Sequence, residues 1–168
     1  MKGLKRVLCV CLTLAMLLSM LPLSVYAATE MKLTASTVSQ KLNAGDQIDV
    51  DVTMTDNPGL VGGRVTVGFD NEKFKLVDVK NRNQTITSKY DGYTKFPITS
   101  GTYKLSWDGG VLEENIMGDG VIATLTFEVL DTATVGESVI ELSAPDFINF
   151  DLEKLAATCT SGKIALWA

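Results

Sequence analysis

Histidine is absent from this chain of 168 residues. Its absence removes the commonest general base, the imidazole partner of catalytic serine or cysteine, and the commonest transition-metal ligand. Cysteine is scarce, and beyond the N-terminal segment only Cys159 remains, so no internal disulfide can form there. Positive charge is outnumbered, with 15 lysines and arginines against 20 acids and a formal net charge of −5. An acidic chain repels nucleic acid, so we expect no nucleic-acid partner.

Long hydrophobic runs are confined to the N-terminus, where Val7–Leu18 follows the basic residues Lys2, Lys5 and Arg6. A basic start, an apolar stretch and small residues up to Ala27 predict a secretory signal peptide at residues 1–27. The alternative is a permanent membrane anchor, but the run is shorter than the ~20 residues that a span requires. We therefore expect an exported, extracellular bacterial protein with no permanent membrane span. Its single domain is predicted to occupy residues 28–168.

One stretch of the remaining chain, Gly59–Asp70, shows the clearest pattern. Val65, Val67 and Phe69 alternate there with Arg64, Thr66 and Gly68. This period of two predicts a strand with one buried and one exposed face. The exposed face is almost bare, because it carries a cation, a small hydroxyl and a glycine. Such a face is either covered by another part of the chain or left free for a partner.

Similar alternation recurs at short intervals along the chain and makes nine predicted strands in all. The other eight, in order, are Met31–Ala35, Ile48–Thr55, Phe74–Val79, Tyr93–Ile98, Thr102–Asp108, Gly120–Leu130, Ser138–Ser143 and Lys163–Trp167. Turn residues separate them, and the segment Asp146–Ala157 is expected to hold a helical turn. Many short strands without a long helix predict an all-β fold, specifically a two-sheet β-sandwich.

No catalytic or metal-binding constellation emerges from the sequence. Glu113, Glu114 and Asp119 form a compact acidic group, but acids near a loop tip are more often solvated than paired for glycoside hydrolysis. Asp108-Gly109-Gly110 lacks the regularly spaced oxygens of a calcium loop. We therefore expect that the protein is not an enzyme and that it needs no cofactor of its own.

Five motifs follow one another along the chain: G-L-V-G-G-R-V-T-V-G-F-D, F-K-L-V-D-V, D-G-V-I-A-T-L-T-F-E-V, D-F-I-N-F-D-L and the closing G-K-I-A-L. Taken in this order, they resemble a cohesin domain, closest to the type I kind. The resemblance extends from about Lys32 to Trp167 and depends on the order of all five motifs. It implies a nine-stranded sandwich with jelly-roll topology. It also implies a receptor for dockerins, which are small calcium-dependent helical modules carried on enzymes or scaffold proteins.

The resemblance also implies a binding face made by the third, fifth, sixth and eighth predicted strands. Carried onto this chain, the outward residues of these strands are Gly62, Arg64 and Thr66, then Tyr93 and Lys95, then Lys104, Ser106 and Asp108, and finally Glu141 and Ser143. Calcium is expected on the dockerin rather than on this chain. The module is expected to act as a free-standing monomer within an extracellular polysaccharide-degrading complex.

The chain departs from better-known cohesins on the third strand. Those members carry asparagine and aspartate where this chain has Gly62 and Arg64. Charge complementarity sets partner choice, so an arginine in place of an acid predicts a different dockerin preference. The alternative interpretation of Arg64 is an ordinary solvated residue or the cross-strand partner of a carboxylate in the sheet.

Two other functions remain open at this point, a carbohydrate-binding sandwich and a structural or adhesin surface domain. The carbohydrate-binding function requires a planar row of exposed aromatics, and we interpret Trp107 and Trp167 instead as packing residues. Cys159 is interpreted as a small buried hydrophobe. The acids Asp46, Asp49, Asp51 and Asp56 are expected to form a solvated strand face that discourages edge aggregation.

Overall fold

The computed structural model describes residues 30–81, 96–107 and 114–168. Within these ranges every regular element is a strand, and no helix could span a membrane. The described strands number eleven: β1 (Met31–Ala35), β2 (Thr37–Lys41), β3 (Gln47–Thr55), β4 (Gly62–Gly68), β5 (Phe74–Asn81), β6 (Thr102–Trp107), β7 (Gly120–Val129), β8 (Gly136–Ile148), β9 (Lys154–Leu155), β10 (Ala157–Thr160) and β11 (Gly162–Trp167).

The strands form two sheets. One sheet has five strands in the order β10-β1-β3-β7-β5, and the other has six, of which five follow the order β2-β11-β8-β4-β6 while β9 pairs with β8. Apolar side chains from both sheets form one core, in which Phe74, Phe127 and Phe147 are fully buried. Burying a side chain of this size stabilises the fold by about 1.5–3 kcal/mol. The predicted all-β sandwich is confirmed.

The strand count differs from the expected nine for two reasons. The structure adds β2, β9 and β10, which the sequence pattern did not indicate. The first half of the predicted fifth strand, Tyr93–Ile98, lies outside the described residues. At its described end, Ile98 forms an isolated bridge with Leu76 of β5 in the five-stranded sheet.

The chain passes from one sheet to the other at Ser36, between β1 and β2, and again between β10 and β11. The first crossing is held by two hydrogen bonds, since Ser36 N donates to Asp51 O at 2.8 Å and Asp51 N donates to Ser36 Oγ at 2.9 Å. At the second crossing Gly162 packs against the first, because a Cβ there would overlap the carbonyl of Ser36 and lie 2.7 Å from the carbonyl oxygen of Ala35. The parallel pairs β1–β10 and β11–β2 follow from this shared corner.

β8 is longer than predicted and carries an irregularity in its middle. Its pairing with β4 shifts register between Arg64 and Thr66, opposite Ala144, which has a positive φ of 48°, and Pro145. A bulge tolerates proline within a sheet, and it bends the strand. Because the strand continues through the bulge, Asp146 lies beside Arg64. The helical turn expected in Asp146–Ala157 was wrong, since β8, a turn, β9 and the start of β10 occupy this segment.

Asn57 closes the end of the sandwich next to β4. Its Nδ2 donates to the carbonyl oxygens of Ile116 and Gly118, each at 3.1 Å, and its own backbone N–H donates to Asp119 Oδ1 at 3.1 Å. Asp119 therefore fixes a loop rather than joining a catalytic pair. Glu113, its predicted neighbour, lies outside the described residues.

Trp167 corrects one expectation about packing. Its side chain is 53% exposed at the end of β11, so it is not a packing residue. The backbone of Trp107 ends β6, while its side chain is not among those described.

Candidate functional site

At one end of the six-stranded sheet β4 lies between β8 and the edge strand β6, and the outward side of these three strands is the candidate site. The pairing registers place the outward residues in three rows across the strands β8, β4 and β6. The rows are Asp146–Arg64–Ser106, Ser143–Thr66–Lys104 and Glu141–Gly68–Thr102. We call these nine residues the candidate face. Five of them are serine, threonine or glycine, and each row contains at least one charged residue, namely Asp146 and Arg64 in the first, Lys104 in the second and Glu141 in the third.

The candidate face is flat because its central strand is poor in side chains. Gly68 leaves room that the side chain of Glu141 occupies, since a Cβ at Gly68 would lie 3.3 Å from Glu141 Oε2. On the inward side of β4, Gly63 packs against the ring of Phe147, and a Cβ there would overlap that ring. β4 therefore approaches the core closely and presents only short side chains outward, apart from Arg64.

Arg64 forms the ion pair at the centre of the first row. Its Nη2 donates to Asp146 Oδ2 at 2.8 Å, and Lys154 Nζ on β9 lies 3.5 Å from Asp146 Oδ1. The side chains of Arg64 and Lys154 are 60% and 84% exposed. Pairs this exposed contribute about 0–1 kcal/mol to stability, so the cluster is free to serve binding. The alternative interpretation of Arg64, a cross-strand partner of a sheet carboxylate, describes its geometry in the unbound chain.

Two shallow depressions flank this ion pair. The larger, of about 430 Å³, is lined by Arg64, Val65, Thr66, Lys104, Ala144, Pro145, Asp146 and Lys154. The smaller, of about 250 Å³, is lined by Gly63, Arg64, Ser106, Asp146 and Ile148. Arg64 and Asp146 therefore form the wall between two recesses in an otherwise flat surface.

The predicted site residues divide into three groups. The structure brings Arg64, Thr66, Lys104, Ser106, Glu141 and Ser143 together on the candidate face. Gly62 shares their strand, but it is buried where β4 begins and does not stand out toward solvent. Tyr93, Lys95 and Asp108 lie outside the described residues.

Asp146 and Lys154 belong to the site, although the sequence did not indicate them. Asp146 was assigned to a helical turn, and the bulge that carries it to Arg64 depends on pairing between residues 82 positions apart. The signal that could have found it is Pro145 after an otherwise regular strand, since a proline there suggests a bulge.

The outward face of the other sheet is acidic, and its carboxylates have partners. Thr126 and Thr124, both buried, donate to Asp49 Oδ1 at 2.6 Å and to Asp51 Oδ1 at 2.5 Å. Asp56 pairs with Lys32 at 2.7 Å, and this hydrogen bond, followed by the attraction between the two charges, raises the pKa of Lys32. These acids are therefore less free than a purely solvated face would be.

Two further groups bear on the chemistry available. Cys159 is half-buried against the core without a disulfide, and burial raises the pKa of its thiol, which fits a packing role. Among the residues that the structure describes, no three of the Cys, Asp and Glu side chains come together to hold a metal ion.

Comparisons with known proteins identify the family of this chain. The family model described as "Cohesin domain" matches residues 31–166. A comparison with curated proteins gives no match.

Solved cohesin structures resemble the chain over most of its length. The cohesin CaCohA2 of Clostridium acetobutylicum, solved in complex with a dockerin, is 26% identical and superposes with a TM-score of 0.69, covering 82% of this chain and 99% of that one. A type I cohesin–dockerin complex of Clostridium thermocellum, containing the OlpA cohesin, gives 19% identity and a TM-score of 0.69, with coverage of 82% and 99%.

A non-cellulosomal cohesin from the archaeon Archaeoglobus fulgidus shares the fold at 16% identity and a TM-score of 0.62, with coverage of 83% and 92%. Taken with the match over residues 31–166, these comparisons show that the chain belongs to the cohesin domain family.

Proposed function

We propose that this chain is a receptor for a dockerin and that the candidate face is its docking surface. Cohesin domains are non-catalytic protein-binding modules, so family membership confirms the expectation that the protein is not an enzyme. The CaCohA2 and OlpA cohesins were solved with dockerins bound, which supports the same class of partner here. We also infer that the strands follow the jelly-roll topology of the family. In that topology β1 and β2 together form one strand that passes from one sheet to the other, and so do β10 and β11.

The observation that carries the proposal is the flat, sparsely substituted outer face of β4. A helical partner needs a surface without protruding bulk, and Thr66, Gly68 and Ser143 provide one at the centre. Arginine is enriched where interfaces have their strongest contacts, and Arg64 stands beside these small residues. The four residues together therefore resemble a docking surface more than an ordinary solvated sheet.

The proposed dockerin partner also suggests the role of this module in a larger complex. A receptor of this kind recruits dockerin-bearing enzymes or scaffold proteins into an extracellular polysaccharide-degrading complex, with the calcium bound by the dockerin. The module acts as a monomer toward its partner. The archaeal relative is described as non-cellulosomal. Dockerin binding and recruitment into such a complex are therefore two separate proposals, and each needs its own test.

A bulky substitution at the centre of the candidate face tests the docking surface. Thr66→Trp is expected to weaken dockerin binding at least about tenfold, because an indole there holds the partner away from the small residues around it. Thr34→Trp is the matched control, since Thr34 is an outward strand threonine on the opposite sheet. Binding is measured by calorimetry in calcium against the dockerin modules encoded by the same organism.

Equal binding by wild type, Thr66→Trp and Thr34→Trp would show that the dockerin docks elsewhere. Retention on insoluble polysaccharide with no dockerin bound would favour the carbohydrate-binding alternative.

We propose that the protein is exported, because residues 1–27 have the pattern of a signal peptide. We expect the secreted protein to begin at Ala28, because the small residue Ala27 ends the segment that a signal peptidase would remove. N-terminal sequencing or intact mass of the protein from culture supernatant checks this. Recovery of a chain that still begins at Met1 would contradict it.

A further inference from the structure

Three cationic side chains and one carboxylate line the larger depression beside Arg64. Arg64, Lys104, Lys154 and Asp146 all line the larger depression of about 430 Å³. The depression therefore carries a local excess of positive charge, although the whole chain has a formal net charge of −5. The acidic composition alone would instead predict a negatively charged binding surface.

Asp146 does not neutralise the depression. It is shared between Arg64 at 2.8 Å and Lys154 at 3.5 Å. Lys104 on β6 lies opposite the hydroxyl residue Thr66. It makes no ion pair with any residue that the structure describes. Glu141, the other acid of the candidate face, belongs to the neighbouring row and turns its carboxylate toward Gly68. Arg64 and Lys154 therefore share one carboxylate while Lys104 has none, so the three cations outnumber the single carboxylate by two.

We propose that the depression receives a carboxylate-bearing side chain of the docked partner, an aspartate or a glutamate held between Arg64, Lys104 and Lys154. This inference rests on the proposed function, since it specifies the chemistry of the dockerin that this face selects. Guanidinium and ammonium groups donate strong, charge-assisted hydrogen bonds to carboxylates. The hydroxyl of Thr66 adds a further donor, and Ala144 and Pro145 line the same recess.

Because the surface is flat and open, the carboxylate is expected to belong to a docked protein rather than to a free anion. The three cations are long side chains on an open sheet, without the buried donors that would retain a free anion from water. A docked protein covers the surface, removes water and strengthens the attraction between the charges. The same covering makes a partner cation costly at this position, because it would stand unpaired among like charges. The depression thus both attracts an acidic partner and rejects a basic one.

The test begins with a dockerin that binds the full chain in calcium, found among the modules of the same organism. Lys104→Gln and Lys154→Gln are each expected to weaken its binding about tenfold and to flatten the dependence of Kd on sodium chloride. Lys163→Gln is the matched control, because Lys163 is an exposed lysine on β11 of the same sheet, paired with Glu137 at 2.8 Å. The control is expected to bind as wild type, and circular dichroism checks that all three variants fold.

The partner is then changed in turn. Replacing one contacting acid of the dockerin by its amide is expected to cause a similar loss, and pairing Lys104→Glu with an acid-to-lysine change in the dockerin is expected to restore binding. If the dockerin binds but Lys104→Gln and Lys154→Gln match the control, the inference is overturned while the proposed function stands. If no dockerin binds, the proposed function fails and the inference fails with it. Binding to polygalacturonate that depends on Lys104 would overturn the inference by identifying an acidic polysaccharide as the ligand.

Discussion

Replacing Gly162 by alanine is expected to destabilise the fold by about 3 kcal/mol, the largest loss of stability that we expect from adding a single methyl group. A Cβ at this position would overlap the carbonyl of Ser36 and lie 2.7 Å from the carbonyl oxygen of Ala35. These are backbone atoms, and Ser36 is fixed by hydrogen bonds to Asp51 on β3. Neither crossing can move without breaking the pairing of β1 or β11 with its neighbours.

Gly68→Ala is the matched control for this substitution. A Cβ at Gly68 would meet only the side chain of Glu141, at 3.3 to 3.4 Å, and that side chain can swing away. Alanine also loses less conformational freedom than glycine in a strand, so the control is expected to be neutral or slightly stabilising. Thermal unfolding checks both variants, with a fall of about 10 °C expected for Gly162→Ala. A melting temperature within about 2 °C of wild type would show that the two crossings are not packed as described.

The strands β4 and β7 were predictable from sequence because each buries at least one face. In β4 the alternation correctly placed Val65 and Val67 in the core and Arg64 and Thr66 on the outer face. In β7 the same period of two places Leu125 and Phe127 in the core, and both are fully buried. Thr124 and Thr126, however, are buried on the opposite face, where they donate to Asp51 and Asp49 on β3. Period-two reasoning identifies the core face but not the side-chain contacts that cover the other face.

The elements that were missed depend on pairing across long sequence distances. β2 has one apolar residue, Val38, and exists because it pairs in parallel with β11 beyond the crossing at Ser36. β10 pairs in parallel with β1 for the same reason. A local pattern cannot report such pairing, since the strands are at opposite ends of the chain.

In the candidate site, too, some residues could be predicted from the local pattern and others depend on pairing between distant parts of the chain. The outward residues of β4 and β6 could be read from alternation, whereas Asp146 and Lys154 could not. Asp146 comes beside Arg64 only through the bulge at Ala144 and Pro145, and Lys154 reaches it because β9 pairs with the end of β8. The sequence therefore indicated the charge of Arg64 but not the carboxylate that it binds.

Reversing the charge of Arg64 is expected to have the largest effect on binding. Arg64→Asp should weaken dockerin binding about 100-fold, and Arg64→Ala about tenfold, because the aspartate replaces an attraction for a partner carboxylate by a repulsion. The fold should survive, since the pair with Asp146 is exposed and opposing two like charges across a sheet costs about 1 kcal/mol or less. Calorimetric titration with the cognate dockerin measures the affinities, and thermal unfolding confirms that the variants are folded.

Lys163→Asp separates the position of the charge from its sign. Lys163 also forms an exposed ion pair with a carboxylate on β8, Glu137 at 2.8 Å, and the substitution changes the net charge by the same amount. It differs in lying on β11, on the far side of β8 from β4. If binding depended only on the overall charge of the chain, Lys163→Asp and Arg64→Asp would weaken it equally. Docking on the candidate face predicts instead that Lys163→Asp stays within about threefold of wild type. Should Arg64→Ala and Arg64→Asp both bind within about a factor of two of wild type, β4 is not where the partner lies.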